Sequence, residues 1–191
     1  MKTSENKSIR MIIVAAPSGA GKSTFLNRIM AEEPRLYDTV TYTTRKMRDG
    51  ESQGNPYFFV TQDEFERKVN DNYFVEWARV HNNLYGTPMN QLEQAWKNGK
   101  CVIMDVDVQG AKTFKSKFPD AVSVFILPPS IEALRQRILK RNNGKVDDLE
   151  VRMKSAEYEM TQTEFFDFQL INDNFEESYL KFKNLIVEIL K

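Results

Sequence analysis

Ala16-Pro17-Ser18-Gly19-Ala20-Gly21-Lys22-Ser23 follows the apolar run Met11-Ile12-Ile13-Val14-Ala15 and precedes Phe25, Leu26, Ile29 and Met30 at helical spacing. The run is short enough for a buried strand, so the octet is predicted to lie between a strand and a helix. In that setting small residues let backbone N–H groups close around phosphate oxygens at the positive end of the helix. Lys22 is then placed to reach the β and γ phosphates of a nucleotide, and Ser23 to put its hydroxyl on Mg²⁺. Ala16 stands where the usual pattern has Gly, a departure of one methyl group that leaves the Gly21-Lys22-Ser23 end intact. The bland alternative, a Gly/Ser turn with a solvated lysine, does not account for the strand before it and the helix after it.

At 191 residues the chain is the size of one domain with room for inserted lobes. Lys+Arg and Asp+Glu both number 27, so the overall field has no strong sign and gives no reason to expect a nucleic acid or a membrane surface as partner. Any anion site has to be built locally. The single cysteine, Cys101, precedes Val102-Ile103-Met104 and reads as a buried, inert thiol, which excludes an internal disulfide. Met1 to Arg10 lack the apolar stretch of a signal peptide, and no apolar run reaches membrane-spanning length, so a cytoplasmic location is expected.

Strand candidates recur at Met11 to Ala15, Tyr57 to Val60, Cys101 to Asp105, Ala121 to Leu127 and Phe168 to Ile171, with helical patterns between several of them. That alternation is the signature of an α/β fold. Helix starts are marked by Thr61 with Glu64, by Thr87 with Pro88 at the first helical position, and by Ser130 after two prolines, while Gly99 marks a helix end. Tyr179, Phe182, Ile186, Ile189 and Leu190 form one stripe of a core-facing C-terminal helix. Two stretches depart from a plain wound sheet. Residues 41–87 read as an inserted lobe with short strands, and residues 135–160, rich in Arg and Lys and broken at Asn142-Asn143-Gly144, read as a helix-loop-helix lid; residues 1–40, 88–134 and 161–191 are left as the core.

Val102-Ile103-Met104-Asp105 is a buried strand ending in a carboxylate, which suits Asp105 to hold Mg²⁺ beside Ser23 through water. If the strand continues, Asp107 emerges on the same face and both acids enter one cleft; the alternative is a strand-end acid that caps the next turn. Gln109 and Gly110 read as turn residues beyond it. In the inserted lobe, Arg45 and Arg48 offer planar donor forks suited to a phosphate dianion, and Tyr57 a hydroxyl, against the alternative of solvated loop arginines. His81, the only histidine, sits in a polar turn and reads as a surface residue, and Trp77 and Trp96 read as core anchors.

Taken together, Ser18-Gly19-Ala20-Gly21-Lys22-Ser23-Thr24, Thr43-Thr44-Arg45 with Arg48, Gly50-Glu51 and Gly54, Glu76-Trp77-Ala78 with Tyr85-Gly86-Thr87, Asp105-Val106-Asp107-Val108-Gln109-Gly110, Leu127-Pro128-Pro129-Ser130 and Ile171-Asn172-Asp173 resemble the guanylate kinase family in order and spacing. The resemblance runs from about Arg10 to the final helix. It implies a P-loop NTPase core with a parallel sheet flanked by helices, an inserted GMP-binding lobe and a helical lid. It also implies transfer of the γ-phosphoryl group of ATP to GMP, with Mg²⁺ as cofactor and ATP and GMP as small-molecule partners, by a monomer or a homo-oligomer.

By the same resemblance, Ala16, Pro17, Ser18, Gly19, Ala20, Gly21, Lys22, Ser23, Thr24 and Asn172 bind ATP, and Arg45, Arg48, Tyr57 and Tyr85 hold the GMP phosphate. Guanine presents N1–H and N2–H₂ donors beside an O6 acceptor, a pattern met by Glu76 and Asp107 as acceptors with hydroxyls from Thr41 and Thr87. Thr41 stands where the family usually has serine. Lys22, Arg45 and the lid residues Arg137, Arg141 and Arg152 are the cations implied for the moving phosphoryl group. Asn142-Asn143 and Pro56 depart from the family's usual residues. Two rival functions share parts of this pattern. A non-catalytic guanylate-kinase-like binding module would not need Gly21-Lys22-Ser23, and a related kinase acting on a sugar phosphate would not need Glu76 and Asp107.

Overall fold

The computed structural model describes residues 10–80, 82–141 and 148–191, with Val80 and Arg141 described by backbone alone. The turn residue His81, the Asn142-Asn143-Gly144 breaker and Lys145 lie outside the described residues. In chain order the elements are β1 (Met11–Ala15), α1 (Lys22–Glu32), β2 (Leu36–Asp38), β3 (Tyr42–Thr43), β4 (Phe58–Phe59), α2 (Gln62–Asn70), β5 (Phe74–Val80) and β6 (Asn83–Pro88). They continue with α3 (Met89–Lys97), β7 (Cys101–Asp105), α4 (Val108–Lys117), β8 (Val122–Leu127), α5 (Ile131–Arg141), α6 (Leu149–Met160), a 3-10 turn (Thr163–Phe165), β9 (Phe168–Ile171) and α7 (Phe175–Ile189). The chain divides into two compact units, one holding the segment up to Pro34 and Ile103–Lys191, the other Arg35–Val102.

The first unit is an α/β layer structure built on parallel strands. One sheet has the order β2-β7-β1-β8-β9, and the unit boundary falls inside β7, whose first residue donates its N–H to the Arg35 carbonyl within the second unit. β1 pairs with β8 in parallel, Val14 against Val124, and β8 pairs in parallel with β9, Ile126 against Leu170. Parallel strands are covered on both faces, which is why Met11 to Ala15 is a continuous apolar run and is wholly buried. α1 is pinned by Phe25, fully buried, whose ring meets Phe182 of α7 edge-on at 5.4 Å and Phe175 at 5.2 Å. The phosphate loop thus leaves a buried strand and enters a helix anchored on its far side.

Asp167, the residue before β9, ties the start of that strand to Ser123 of β8. Its Oδ2 accepts from the Ser123 N–H and hydroxyl, both at 2.7 Å, and from Lys115 Nζ at 2.5 Å. Burial opposes ionisation of this carboxyl, but Lys115 and Ser123 overcome it and hold the group below its ordinary value. A depressed carboxylate stabilises the fold above the unfolded aspartate range and loses that contribution as pH falls through the folded value. Asp167→Asn is therefore expected to cost about 1–2 kcal/mol at neutral pH, allowing for solvent screening at this half-exposed pair. Urea unfolding of parent and variant should show that difference shrinking below about pH 4; a pH-independent difference would assign the effect to packing.

The second unit carries a four-stranded sheet in the order β4-β3-β6-β5. α2 is capped by Thr61, whose hydroxyl accepts from the Glu64 N–H at 3.2 Å, and buries Phe65 on this sheet. Phe65 stacks on Phe74 at 4.6 Å, and the pair lies over Gly86, where an added Cβ would sit 2.9 Å from Phe74 and 3.0 Å from Phe65. Gly86 is thus bare because two rings occupy its face.

Several local expectations are corrected. β7 ends at Asp105, so Asp107 does not extend the strand; it caps α4, its Oδ1 accepting from the Gly110 N–H at 2.6 Å. Gln109 and Gly110 consequently belong to the first turn of α4 and are not turn residues. Pro88 ends β6 and precedes α3, because the antiparallel pairing with β5 reaches Phe74 and holds Pro88 extended. Strand β4 is confined to Phe58–Phe59. Trp77 is exposed and Trp96 half-buried, so neither is a core anchor; Phe65 and Phe74 fill that role in the inserted sheet.

Candidate functional site

In the first unit the loop from Ala16 to Thr24 borders a cleft of about 810 Å³, together with Asp105, Asp107, Arg137, Glu159, Asn172, Asp173 and Phe175. The loop turns tightly, with the Ala20 N–H on the Pro17 carbonyl at 3.0 Å, and Gly21 caps α1 at φ +103. Ala16 and Ala20 are buried, while Ser23 and Thr24 are exposed on the first turn of the helix. The first turn of α1 holds no acidic side chain, so nothing there neutralises the positive end of its dipole.

Lys22 is positioned by β7. Its Nζ donates to the Val106 carbonyl at 2.9 Å and forms an ion pair with Asp105, and the Val106 N–H is itself held by the Val14 carbonyl at 3.2 Å. Asp105 and Ser23 both face the cleft. Among the described residues no group of three or more His, Cys, Asp or Glu side chains is suited to hold a metal. A hydroxyl, a single strand-end carboxylate and a phosphate cradle fit Mg²⁺, which keeps several waters and takes its remaining ligands from phosphates rather than from a protein cage.

At the opposite wall Asn172 follows β9. It is buried, its N–H held by the Leu127 carbonyl at 2.7 Å, and its Nδ2 donates to the Ala20 carbonyl at 2.7 Å, so this residue buttresses the phosphate loop. Arg137 of α5 donates from Nη2 to the Asn172 and Asp173 carbonyls at 2.8 and 3.2 Å. Its Nη1 and the Asn172 Oδ1 are buried with no partner among the described residues. Arg152 of α6 is exposed and does not line the cleft, and the Arg141 side chain lies outside the described residues. Arg135 ties α5 to α6 through Glu150 at 2.5 Å.

In the second unit Glu76 of β5 stands directly across from Thr87 of β6, and Ala78 across from Tyr85. Opposed residues share a face, and so do residues two apart, so Glu76, Thr87 and Tyr85 lie on one side of the sheet, with Thr43, opposite Tyr85, beside them. Thr87 is buried and Glu76 half-buried. The rings of Tyr57 and Tyr85 meet edge-on at 5.9 Å, and the Arg45 guanidinium lies 5.5 Å from the Tyr57 ring. Thr41 accepts the Phe58 N–H on its carbonyl at 3.0 Å and precedes β3.

Sequence reasoning assigned no role to Glu51. Its carboxylate takes Arg45 Nη2 at 2.7 and 3.0 Å and the Arg48 backbone N–H at 2.8 Å, which shapes the loop that carries both arginines. The Arg45 guanidinium, followed by the Arg48 N–H, holds this carboxyl below its ordinary value. Thr44 is a stitch rather than a ligand, its hydroxyl accepting the Leu84 N–H at 2.9 Å. Cys101 is buried, and burial pushes its thiol up to about 12, which leaves no thiolate for chemistry. Glu159 in the first cleft was also missed; its spacing seven residues after Arg152, nearly two helical turns, was the available signal.

The guanylate kinase family model matches residues 8–189. The chain belongs to that family. It is 55% identical over 181 residues to the guanylate kinase of Bdellovibrio bacteriovorus, covering 95% of this chain and 98% of that one. It is 40% identical to the guanylate kinase of Campylobacter jejuni strain RM1221 over 93% of this chain and 87% of the other. Among solved structures, guanylate kinase from Anaplasma phagocytophilum superposes with a TM-score of 0.73 at 30% identity, covering 97% of this chain and 89% of that one. The SH3-kinase fragment of tight junction protein 3, at 11% identity and a TM-score of 0.55 over 98% of this chain and 60% of its own, shares the fold alone. Family membership gives the P-loop NTPase core its name. No helix among the described residues is long and apolar enough to cross a membrane.

Proposed function

We propose that the chain is a cytoplasmic ATP:GMP phosphotransferase. A GMP phosphate oxygen attacks the γ-phosphorus of ATP, the bond to the β-phosphate oxygen breaks, and ADP and GDP are released; dGMP is accepted as well. The observation that carries the GMP half is the cross-strand pair Glu76–Thr87, a carboxylate and a hydroxyl on the sheet face that also bears Tyr85. A carboxylate accepts from the guanine donors and a hydroxyl donates to O6, while Tyr57, Tyr85, Arg45 and Arg48 supply the groups for a phosphate dianion. Thr41 adds a second hydroxyl, and Asp107, whose Oδ1 takes the Gly110 N–H, is assigned to the base by the family resemblance alone.

On the donor side Lys22, the loop from Ala16 to Thr24 and Asn172 bind ATP, with Arg137, Arg141 and Arg152 as lid cations. Residues 41–87 act as the acceptor lobe and 135–160 as the lid. Mg²⁺, held by Ser23 and, through water, by Asp105, would neutralise developing charge on the transferring phosphates. The protein's own part is positioning: Asn172 and Asp105 hold the loop and Lys22 still while the phosphates approach.

A coupled assay of ADP release with GMP, AMP, CMP and UMP tests this. Adenine leaves a carboxylate unpaired, at roughly 1–3 kcal/mol per lost hydrogen bond, so GMP should exceed AMP by at least about tenfold to a hundredfold. Equal rates with GMP and AMP would overturn the base pocket, and no turnover with any of them would leave a non-catalytic binding module.

A further inference from the structure

Glu159 is an acid on the wall of a phosphate cleft, near the end of α6. It is half-buried, three residues after the buried Ala156, so its carboxylate is not a fully solvated surface charge. Burial and then the Asp107 carboxylate hold its carboxyl above the ordinary value, and the Lys22 ammonium opposes them. Among the described residues the cleft therefore gathers Glu159, Asp105, Asp107 and Asp173 around one space, with Lys22, already paired with Asp105, and Arg137, already bound to two carbonyls, as its cations. A bare polyphosphate entering this space meets unneutralised carboxylates. A hydrated divalent cation on the phosphates reverses the sign of that encounter, because its bound waters donate to carboxylate oxygens.

Resting on the ATP-binding reading above, we infer that Glu159 is a positioning residue on the metal side of the donor site, accepting from water on the Mg²⁺ that accompanies ATP and repelling ATP that arrives without it. It makes α6, the second helix of the lid segment, respond to the metal as well as to the phosphates. Arg152 lies nearly two turns earlier on the same helix face but outside the cleft lining, so on α6 it is Glu159 that meets the cleft.

The test is equilibrium binding of ATP by titration calorimetry, once in excess Mg²⁺ and once in EDTA, for the parent and for Glu159→Gln. The parent should bind ATP more tightly with Mg²⁺. In E159Q that Mg²⁺-dependent gain should shrink about tenfold, with MgATP weaker and metal-free ATP tighter, since the amide removes both attraction and repulsion. Glu159→Asp, which keeps the charge, should retain a larger part of the gain. A purely structural role would weaken both forms of ATP by the same factor, and an unchanged ratio in E159Q overturns the inference. A parent that binds ATP under neither condition would instead remove the donor-site reading beneath it.

Discussion

Replacing Lys22 with Met is expected to lower turnover by about 10²–10³-fold or more while GMP binding stays nearly intact. An ammonium has three donors. One is on the Val106 carbonyl at 2.9 Å and another faces Asp105, so the third is free to meet a phosphate oxygen. Because transfer between two polyanions depends on charge held in place, losing this ammonium removes stabilisation that exists only while the phosphoryl group moves. It also strips Asp105 of its partner in the same cleft. Lys22→Arg keeps the charge, but its planar fork cannot point donors in the same three directions, so it too should lose most activity. ADP release in a coupled assay and calorimetric titration of GMP check both variants. GMP affinity falling in step with turnover would mean that donor and acceptor sites have been assigned the wrong way round.

The features legible in the sequence were those with a local physical cause. Met11–Ala15, Cys101–Asp105 and Phe168–Ile171 form strands at the expected residues because each is a short run bounded by a turn or helix signal. The phosphate loop was readable because only small residues permit its backbone, and Thr61 and Ser130 cap their helices as Ser and Thr do generally. Long-range partners were not readable. Nothing near Asn172 in sequence shows that its amide reaches the Ala20 carbonyl, and nothing near Glu51 separates a solvated acid from one clamping Arg45. Asp107 failed for a different reason: a strand period and a helix cap compete at a strand end, and the Gly110 N–H decides it. Trp77 was misjudged because its strand lies at the edge of a small sheet, where one face of a large ring stays in water.

Gly21→Ala should be the most damaging single-methyl change in the phosphate loop. The residue sits at φ +103, where an L side chain is strained by about 1–3 kcal/mol. Its added Cβ would also lie 2.6 Å from Asn172 Nδ2, inside any tolerable contact. Asn172 cannot simply turn aside, since that nitrogen donates to Ala20 and the residue is buried between β9 and the loop. The loop must shift instead, and with it the first turn of α1 and Lys22. ATP affinity is expected to fall at least about a hundredfold, with a smaller loss in thermal stability, since strain of this size plus one broken buried hydrogen bond amounts to a few kcal/mol. The two causes separate in a double-mutant cycle, because Asn172→Ala relieves the contact but not the backbone strain. If the clash dominates, G21A/N172A should bind ATP no worse than N172A. Strain as the dominant cause predicts that G21A costs the same in either background. Parental ATP affinity in G21A alone would mean that this loop does not cradle the phosphates in the conformation described.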